Sequence, residues 1–158
     1  MGRTGAKAFN ARLARLSDVP GLQDVFLRAS MSNESDRAIL LKHPEWLELS
    51  DEAVREGRTQ VATDLSGVVI GFATYLVSDD MAELAEVFVD PLHMRCGVGS
   101  TLVALISARL EEMKYESLEV TANPSAMAFY ERMGFEADQV IQTEGPPALR
   151  MRKSIRRS

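Results

Sequence analysis

A strand, a glycine-rich loop and a helix are predicted in succession between Met81 and Lys114, and this order constrains the fold more than any other feature. Residues 81–89 are mostly apolar, residues 95–100 read Arg-Cys-Gly-Val-Gly-Ser, and apolar residues recur at steps of three and four through residues 100–114. Glycines let an anion approach the main chain, and the first N–H groups of a helix have no partner within it. The stretch therefore predicts a site for a phosphorylated ligand.

The glycine loop differs from two common nucleotide-binding motifs. The third glycine of a dinucleotide fingerprint would fall on Leu102, and no Gly-Lys-Ser or Gly-Lys-Thr follows the loop. Taken alone, Gly97 and Gly99 also fit a tight strand-to-helix turn that binds nothing. A nucleotide-binding α/β protein stays open as one interpretation.

Length and composition are those of one soluble globular domain. The chain has 158 residues, of which 46% are hydrophobic and 26% charged. It contains no run of about 18 apolar residues, and the charged N-terminus has no apolar segment behind it. We therefore expect a single cytoplasmic domain over residues 1–158, with residues 1–9 as a flexible extension.

Two features of the composition limit the chemistry. The only cysteine, Cys96, excludes an internal disulfide, and with two histidines a structural metal site is not expected. The net charge of −5 argues against nucleic-acid binding, and the basic residues near the C-terminus indicate a solvated strand face and tail. We expect no metal, no nucleic acid and no membrane among the partners.

Hydrophobic periodicity and turn signals predict the remaining elements. They are a strand over residues 11–16, a helix over 19–29 capped by Asp18, helical residues 34–56 broken near His43 and Pro44, antiparallel strands over 60–64 and 68–77, a strand over 117–122, and a closing hairpin of strands 139–143 and 148–155. Strand 117–122 should run parallel to strand 81–89, because a helix connects them through a right-handed crossover.

A second informative stretch runs from Asn123 to Phe135. Asn123 is a favourable N-cap, Pro124 suits the first helical position, and Gly134 suits the C-terminal cap. These residues predict a helix of about three turns.

With both stretches placed, the chain resembles the GNAT superfamily of N-acetyltransferases. The family's phosphate motif Q/R-x-x-G-x-G/A falls on residues 94–99, and its Tyr-Glu-Arg-x-Gly-Phe motif falls on residues 130–135. The resemblance covers residues 11–155. It implies an α/β (α+β) GNAT-like fold, in which a mixed, mostly antiparallel twisted sheet of about seven strands has a splayed parallel pair in its middle and about four flanking helices.

The resemblance implies that acetyl-CoA is the co-substrate. The loop 95–100 would wrap its pyrophosphate, and strand residues 87–89 would pair with its pantetheine arm as an added strand does. Met94 stands where the family has Gln or Arg, so its backbone would serve while Arg95 supplies positive charge. The implied cofactor-binding residues are Val87, Phe88, Val89, Met94, Arg95, Cys96, Gly97, Val98, Gly99, Ser100, Asn123 and Tyr130.

Acetyl transfer to an amine needs a base, an oxyanion donor and an acid for the leaving thiolate. By resemblance Tyr130 is the acid, and a phenol with a pKa of about 10 suits that role. Glu83 and Glu119 are the candidate bases, with Glu83 ranked first. A main-chain N–H near Val89 would stabilise the oxyanion.

Alternation along the strand 81–89 predicts which side chains share a face. It groups Glu83 with Ala85 and Val87, and Glu86 with Leu84 and Phe88.

The expected reaction moves the acetyl group of acetyl-CoA directly to a primary amine of a small molecule, a peptide or a protein. The sequence does not identify the acceptor, although residues 34–56 and the closing hairpin are expected to set specificity. The alternative is a non-catalytic acyl-CoA-binding sensor or regulatory module. The resemblance also allows a homodimer.

Overall fold

The described residues form one seven-stranded sheet of order β1-β2-β3-β4-β5-β7-β6. The computed structural model describes residues 8–32, 34–47, 49–142 and 147–156. The strands are β1 Phe9–Leu13, β2 Thr59–Asp64, β3 Val69–Val77, β4 Ala82–Val89, β5 Ser117–Ala122, β6 Glu136–Ile141 and β7 Ala148–Ser154. Only β4 and β5 pair in parallel, so the predicted mixed, mostly antiparallel sheet is confirmed.

The described part of the chain has five α-helices, one more than the approximate number expected. They are α1 Val19–Ser32, α2 Glu34–Lys42, α3 Glu52–Arg55, α4 Val98–Glu112 and α5 Met127–Arg132. The predicted break near Pro44 is confirmed, because a 3₁₀ turn over Pro44–Leu47 separates α2 from the single turn of α3. No helix in the described ranges is long and apolar enough to cross a membrane. The predicted turn of the closing hairpin and most of the predicted N-terminal extension lie outside those ranges.

Helices cover the two faces of the sheet at different strands. On one face, α4 buries Leu102, Val103, Ile106 and Leu110 against the sheet, as their spacing predicts. On the other face, α1 buries Leu22, Val25 and Phe26. The Phe26 ring meets the ring of Phe88 on β4 edge to face, with 5.0 Å between the ring centroids.

The predicted alternation along β4 is wrong beyond Leu84, because the strand contains a β-bulge. Thr74 on β3 pairs with Glu86 and Tyr75 pairs with Leu84, so Ala85 is an extra residue. Leu84 and Val87 therefore both pack toward α4. Glu83 accordingly shares the α1 face with Glu86 and Phe88 and not with Val87, because the extra residue shifts the period-two pattern by one position.

The parallel pair in the middle of the sheet is splayed, as expected. β4 and β5 pair only at Glu83 with Glu119 and at Leu84 with Val120. Beyond this point β4 stays paired with β3 as far as Val89, and β5 stays paired with β7. The inner edges of the two strands thus diverge and leave an opening between them.

The predicted start of the helix at Asn123 is wrong. Asn123 accepts the Ala126 N–H on its side chain and on its carbonyl, at 3.0 Å in each case, which closes a separate turn. The helix α5 begins only at Met127 and has six residues. Its predicted end is confirmed, because Gly134 has φ +96° and the Phe135 N–H bonds the Tyr130 carbonyl at 3.0 Å.

Gly71 on β3 seats the start of α4, and Gly71→Ala is expected to reduce stability by about 1–3 kcal/mol. A Cβ at this position would lie 2.8 Å from Val98 Cγ1 and 3.1 Å from the Phe88 carbonyl oxygen, so the helix or the strand must shift. The measurement is the free energy of unfolding in urea. The control is Leu65→Ala at a side chain that is 71% exposed, and equal values for both variants would contradict the seating of α4 on Gly71.

Candidate active site

The N-terminus of α4 opens beside the diverging ends of β4 and β5. Gly97 precedes the helix with φ +85°, a conformation that glycine adopts without strain. The first bond into the helix is from the Thr101 N–H to the Gly97 carbonyl at 3.0 Å, so the N–H groups of residues 98–100 have no partner within the helix. The aligned dipoles of this 15-residue helix add positive potential at the same end. The arrangement suits an anion such as a diphosphate.

Gly99 has a different role from Gly97. A Cβ on Gly99 would lie 3.2 Å from the Phe129 ring and 3.7 Å from Val89 Cγ2, so the helix start packs directly against α5 and β4. Its side-chain direction points into protein and not toward the solvent side of the loop. Gly99 is therefore explained by close packing, whereas Gly97 is explained by its backbone conformation.

The other predicted loop residues form the turn that leads into α4. Arg95 adopts φ +65°, which a residue with a side chain rarely does. Met94 is 58% exposed, and Cys96 packs partly against the core.

The loop is anchored at its start by Asp90, whose buried carboxylate accepts the Leu92 N–H at 2.9 Å and a hydrogen bond from Arg28 of α1. Burial alone would raise the pKa of Asp90, but the Leu92 N–H and Arg28 outweigh it and lower the pKa.

The inner edge of β4 carries main-chain groups that the sheet leaves unpaired. The Asp90 N–H bonds the Ile70 carbonyl at 2.8 Å, so Asp90 faces β3. Main-chain direction alternates along a strand, and the register places Phe88 toward β3 as well. Val87 and Val89 then direct their N–H and C=O groups into the opening. Of the three strand residues predicted to pair with a ligand, Phe88 uses its main chain within the sheet.

Tyr130 lies on α5, the helix whose Phe129 touches Gly99. It is buried between the rings of Phe129 and Phe135, with centroid distances of 5.0 and 5.4 Å. Its hydroxyl makes no hydrogen bond to the residues that the structure describes. Burial raises the pKa of Tyr130 to about 12, so the phenol keeps its proton at neutral pH.

The two predicted bases, Glu83 and Glu119, are both engaged by arginines of β7. Arg150 donates to Glu83 at 2.8 Å and to Glu119 at 3.0 Å, and Arg152 donates to Glu119 at 3.0 Å. Burial alone would raise the pKa of Glu119, but Arg152 and Arg150 outweigh it and lower the pKa. The Arg150 side chain is only 17% exposed, so it does not belong to a solvated tail as its sequence context suggested. This network ties β4, β5 and β7 together where the parallel pairing ends.

Glu86 is a further acidic residue beside the opening, and the sequence prediction did not select it. It lies beyond the last residue of β4 that pairs with β5, on the α1 face, directly opposite Thr74 of β3. Burial raises the pKa of Glu86, and Thr74 and Arg58 oppose this only in part. The sequence signal for Glu86 was an acidic residue inside an apolar strand. The face of β4 on which Glu86 lies depends on the bulge at Ala85, which the alternation of side chains does not predict.

Comparison with known proteins identifies the family of this chain. A family model described as the Acetyltransferase (GNAT) family matches residues 23–135, and the chain therefore belongs to this family. The enzyme class predicted from the sequence, an acetyltransferase that uses acetyl-CoA, is thereby confirmed. A comparison with curated protein sequences finds no match. Within the described ranges, no group of three or more His, Cys, Asp or Glu residues is arranged to hold a metal ion.

Solved structures of similar fold are numerous. The ribosomal-protein-S18-alanine N-acetyltransferase of Escherichia coli has 22% identity and a TM-score of 0.70, with 96% of each chain covered. The PaiA N-acetyltransferase of Thermoplasma acidophilum, solved with coenzyme A, has 15% identity and a TM-score of 0.75, with 93% of this chain and 99% of that chain covered. A phosphinothricin acetyltransferase of Sinorhizobium meliloti, solved with acetyl-CoA, has 18% identity and a TM-score of 0.71, over 94% and 89% of the two chains.

The raised pKa of Tyr130 predicts a loss of stability at alkaline pH. The folded state holds the phenolic proton up to pH about 12, whereas the unfolded chain releases it near 10, so the contribution of Tyr130 declines as pH rises through this interval. Between pH about 9 and about 11 the wild type should lose about 1 kcal/mol more free energy of unfolding than Tyr130→Phe.

Urea unfolding at the two pH values measures this difference. Tyr115→Phe is the matched control, because the Tyr115 hydroxyl donates to the Ser78 carbonyl away from α5, and it should decline as the wild type does. Equal declines in the wild type and Tyr130→Phe would show that the phenol is not desolvated.

Proposed function

We propose that the protein is an N-acetyltransferase that moves the acetyl group of acetyl-CoA directly to a primary amine of a small molecule, a peptide or a protein. One observation carries this proposal. The unpaired main-chain edge of Val87 and Val89 and the free N–H groups at the start of α4 border the same opening. A ligand with an extended amide-containing arm and a diphosphate is complementary to both at once.

The proposed roles of the cofactor-side residues follow from this opening. Residues 97–100 hold the diphosphate by main-chain N–H groups, and Arg95, which is exposed beside them, adds positive charge. Val87 and Val89 hold the pantetheine arm, and the Val89 N–H is a donor for the carbonyl oxygen on which charge develops. Acetyl-CoA supplies a thioester, whose carbonyl carbon accepts the amine. Asn123 is a further proposed cofactor contact at the edge of the opening, because its turn directly follows β5.

We assign the general base to Glu86 in preference to Glu83 and Glu119. A carboxylate held by arginines, with its pKa lowered, takes a proton from an ammonium poorly. Glu86 has a pKa that burial raises, and it lies directly before Val87, on the face opposite α4. An amine entering from the α1 face would meet the Glu86 carboxylate as it reaches the opening.

Tyr130 is the proposed acid at the other end of the transfer. The base takes one proton from the ammonium before attack, the nitrogen–carbon bond forms as the carbon–sulfur bond breaks, and the departing sulfur takes the phenolic proton. The second nitrogen proton passes to the phenolate, so the phenol of Tyr130 is restored. Burial raises the pKa of Tyr130, so the phenol is protonated at neutral pH. Helix α5 holds it next to residues 90–100, the cofactor loop, through the contact of Phe129 with Gly99.

The reaction itself is tested by release of free CoA thiol from acetyl-CoA in the presence of amines. The panel contains peptides with free N-termini, lysine-containing peptides, polyamines and amino acids. We expect thiol release with at least one class, and a fall in kcat of about 10²-fold or more for Tyr130→Phe at nearly unchanged acetyl-CoA affinity. Tight acetyl-CoA binding without turnover on any amine, in wild type and variant alike, would favour the sensor alternative.

The choice of base predicts a distinct pH profile. The acid limb of kcat/KM should lie above the ordinary glutamate pKa of 4.5, because burial raises the pKa of Glu86 and the base is lost as pH falls through it. Glu86→Gln should remove this limb and lower kcat about 10²-fold or more, whereas Glu83→Gln should keep it. Loss of the limb in Glu83→Gln alone would return the base assignment to Glu83.

A further inference from the structure

Asp90 fixes the first turn of the cofactor loop through all of its polar groups. Its carboxylate accepts the Leu92 N–H at 2.9 Å and its carbonyl accepts the His93 N–H at 2.8 Å, while its own N–H bonds Ile70 of β3. The residue is 6% exposed and directly follows β4. The direction in which residues 91–97 leave the sheet is thus set by the position of one carboxylate.

Arg28 of α1 holds that carboxylate from the opposite side. Its Nε donates to Asp90 Oδ2 at 2.9 Å, and its Nη2 lies 2.7 Å from the same oxygen in an ion pair. The helix that carries Arg28 is itself fixed to the sheet, because Val25 and Phe26 are buried and the Phe26 ring packs on Phe88. The guanidinium therefore reaches Asp90 from a rigid support.

The Arg28 side chain contributes little to the core, since 47% of it is exposed. Its main contribution is to stabilise the buried negative charge of Asp90. Such a charge is energetically costly without a cation or further hydrogen-bond donors nearby. With Arg28 removed, the hydrogen-bond donors that Asp90 keeps among the described residues are the main-chain N–H groups of Leu92 and His93, and the turn over residues 90–93 is held less firmly. A ligand that needs this turn ordered must then order it on binding, which weakens its affinity.

We propose that Arg28 is a positioning residue for the cofactor loop, acting through Asp90 and linking helix α1 to the site at the start of α4. This inference rests on the proposed binding of acetyl-CoA at that loop. Arg28 touches no reacting atom. Its removal is therefore expected to change the affinity for acetyl-CoA and to leave the chemical step nearly unchanged.

The chain contains a matched control at the other end of α1. Arg12 of β1 donates to both carboxylate oxygens of Asp18, at 2.7 and 2.9 Å, and Asp18 also accepts the Arg15 N–H at 2.7 Å. Asp18 is 9% exposed, close to the value for Asp90. Both pairs thus join an arginine to a buried aspartate that also orders a turn, but only Asp90 adjoins the cofactor loop.

The experiment compares the full-length wild type with Arg28→Ala, Arg28→Lys and Arg12→Ala. Titration measures the acetyl-CoA affinity, and thiol release measures kcat and KM. The rate of hydrogen exchange is measured over residues 90–97 in the absence of ligand. Arg28→Ala should raise Kd and KM for acetyl-CoA about tenfold, change kcat less than about twofold and speed exchange in this segment. Arg28→Lys, which keeps the charge but not the Nε hydrogen bond of the planar guanidinium, should recover part of the affinity. Arg12→Ala should match the wild type in all three measurements.

Three outcomes overturn the inference. The first is the same acetyl-CoA affinity in Arg28→Ala and Arg12→Ala, and the second is unchanged exchange over residues 90–97 in Arg28→Ala. If Arg28→Ala does not fold, Arg28→Lys provides the same two readouts. The third is a wild type that does not bind acetyl-CoA, which removes the proposed function as well, whereas the first two leave that function intact.

Discussion

The pairing of β4 and β5 stops after two residue pairs, and the whole site depends on this early end. A parallel pair that continued would use the N–H and C=O groups of Val87 and Val89 within the sheet and leave nothing for a ligand. The outer edge of β4 remains paired with β3 and the outer edge of β5 with β7, so the two strands diverge while both stay in the sheet. The network of Arg150 with Glu83 and Glu119 lies at the end where β4 and β5 still pair, and the start of α4 lies beside the end where they have separated.

The bulge at Ala85 divides the chemistry between the two faces of β4. Because of the extra residue, Val87 and Val89 pack toward α4 while Glu86 and Phe88 lie toward α1. Without the bulge, a carboxylate at position 86 would point into the apolar layer under α4. One added residue thus lets a single strand present main-chain donors at its edge, apolar side chains to one helix and a partly buried carboxylate to the other face.

The cofactor side was readable from the sequence because it depends on local chain properties. Two glycines before an amphipathic stretch predict an open helix N-terminus, and the Tyr-Glu-Arg-Met-Gly-Phe run at residues 130–135 marks the helix that packs on it. The surroundings of the two predicted bases were not readable in this way. Glu83 and Glu119 were reasonable candidates, but their arginine partners come from β7, and long-range pairing of this kind leaves no signal at the glutamates themselves.

The order of strands and helices, like the glycine loop and the family, can be predicted from the residues alone, because each follows from periodicity, turn chemistry or a contiguous motif. Three features could be found only in the folded protein: the grouping of side chains on the faces of β4, the close packing at Gly99, and the contact of Arg28 with Asp90. These features depend on the register between β3 and β4 and on the packing of α5 and α1 against distant segments. Register and packing are set by contacts among residues far apart in the chain, and no local pattern encodes them.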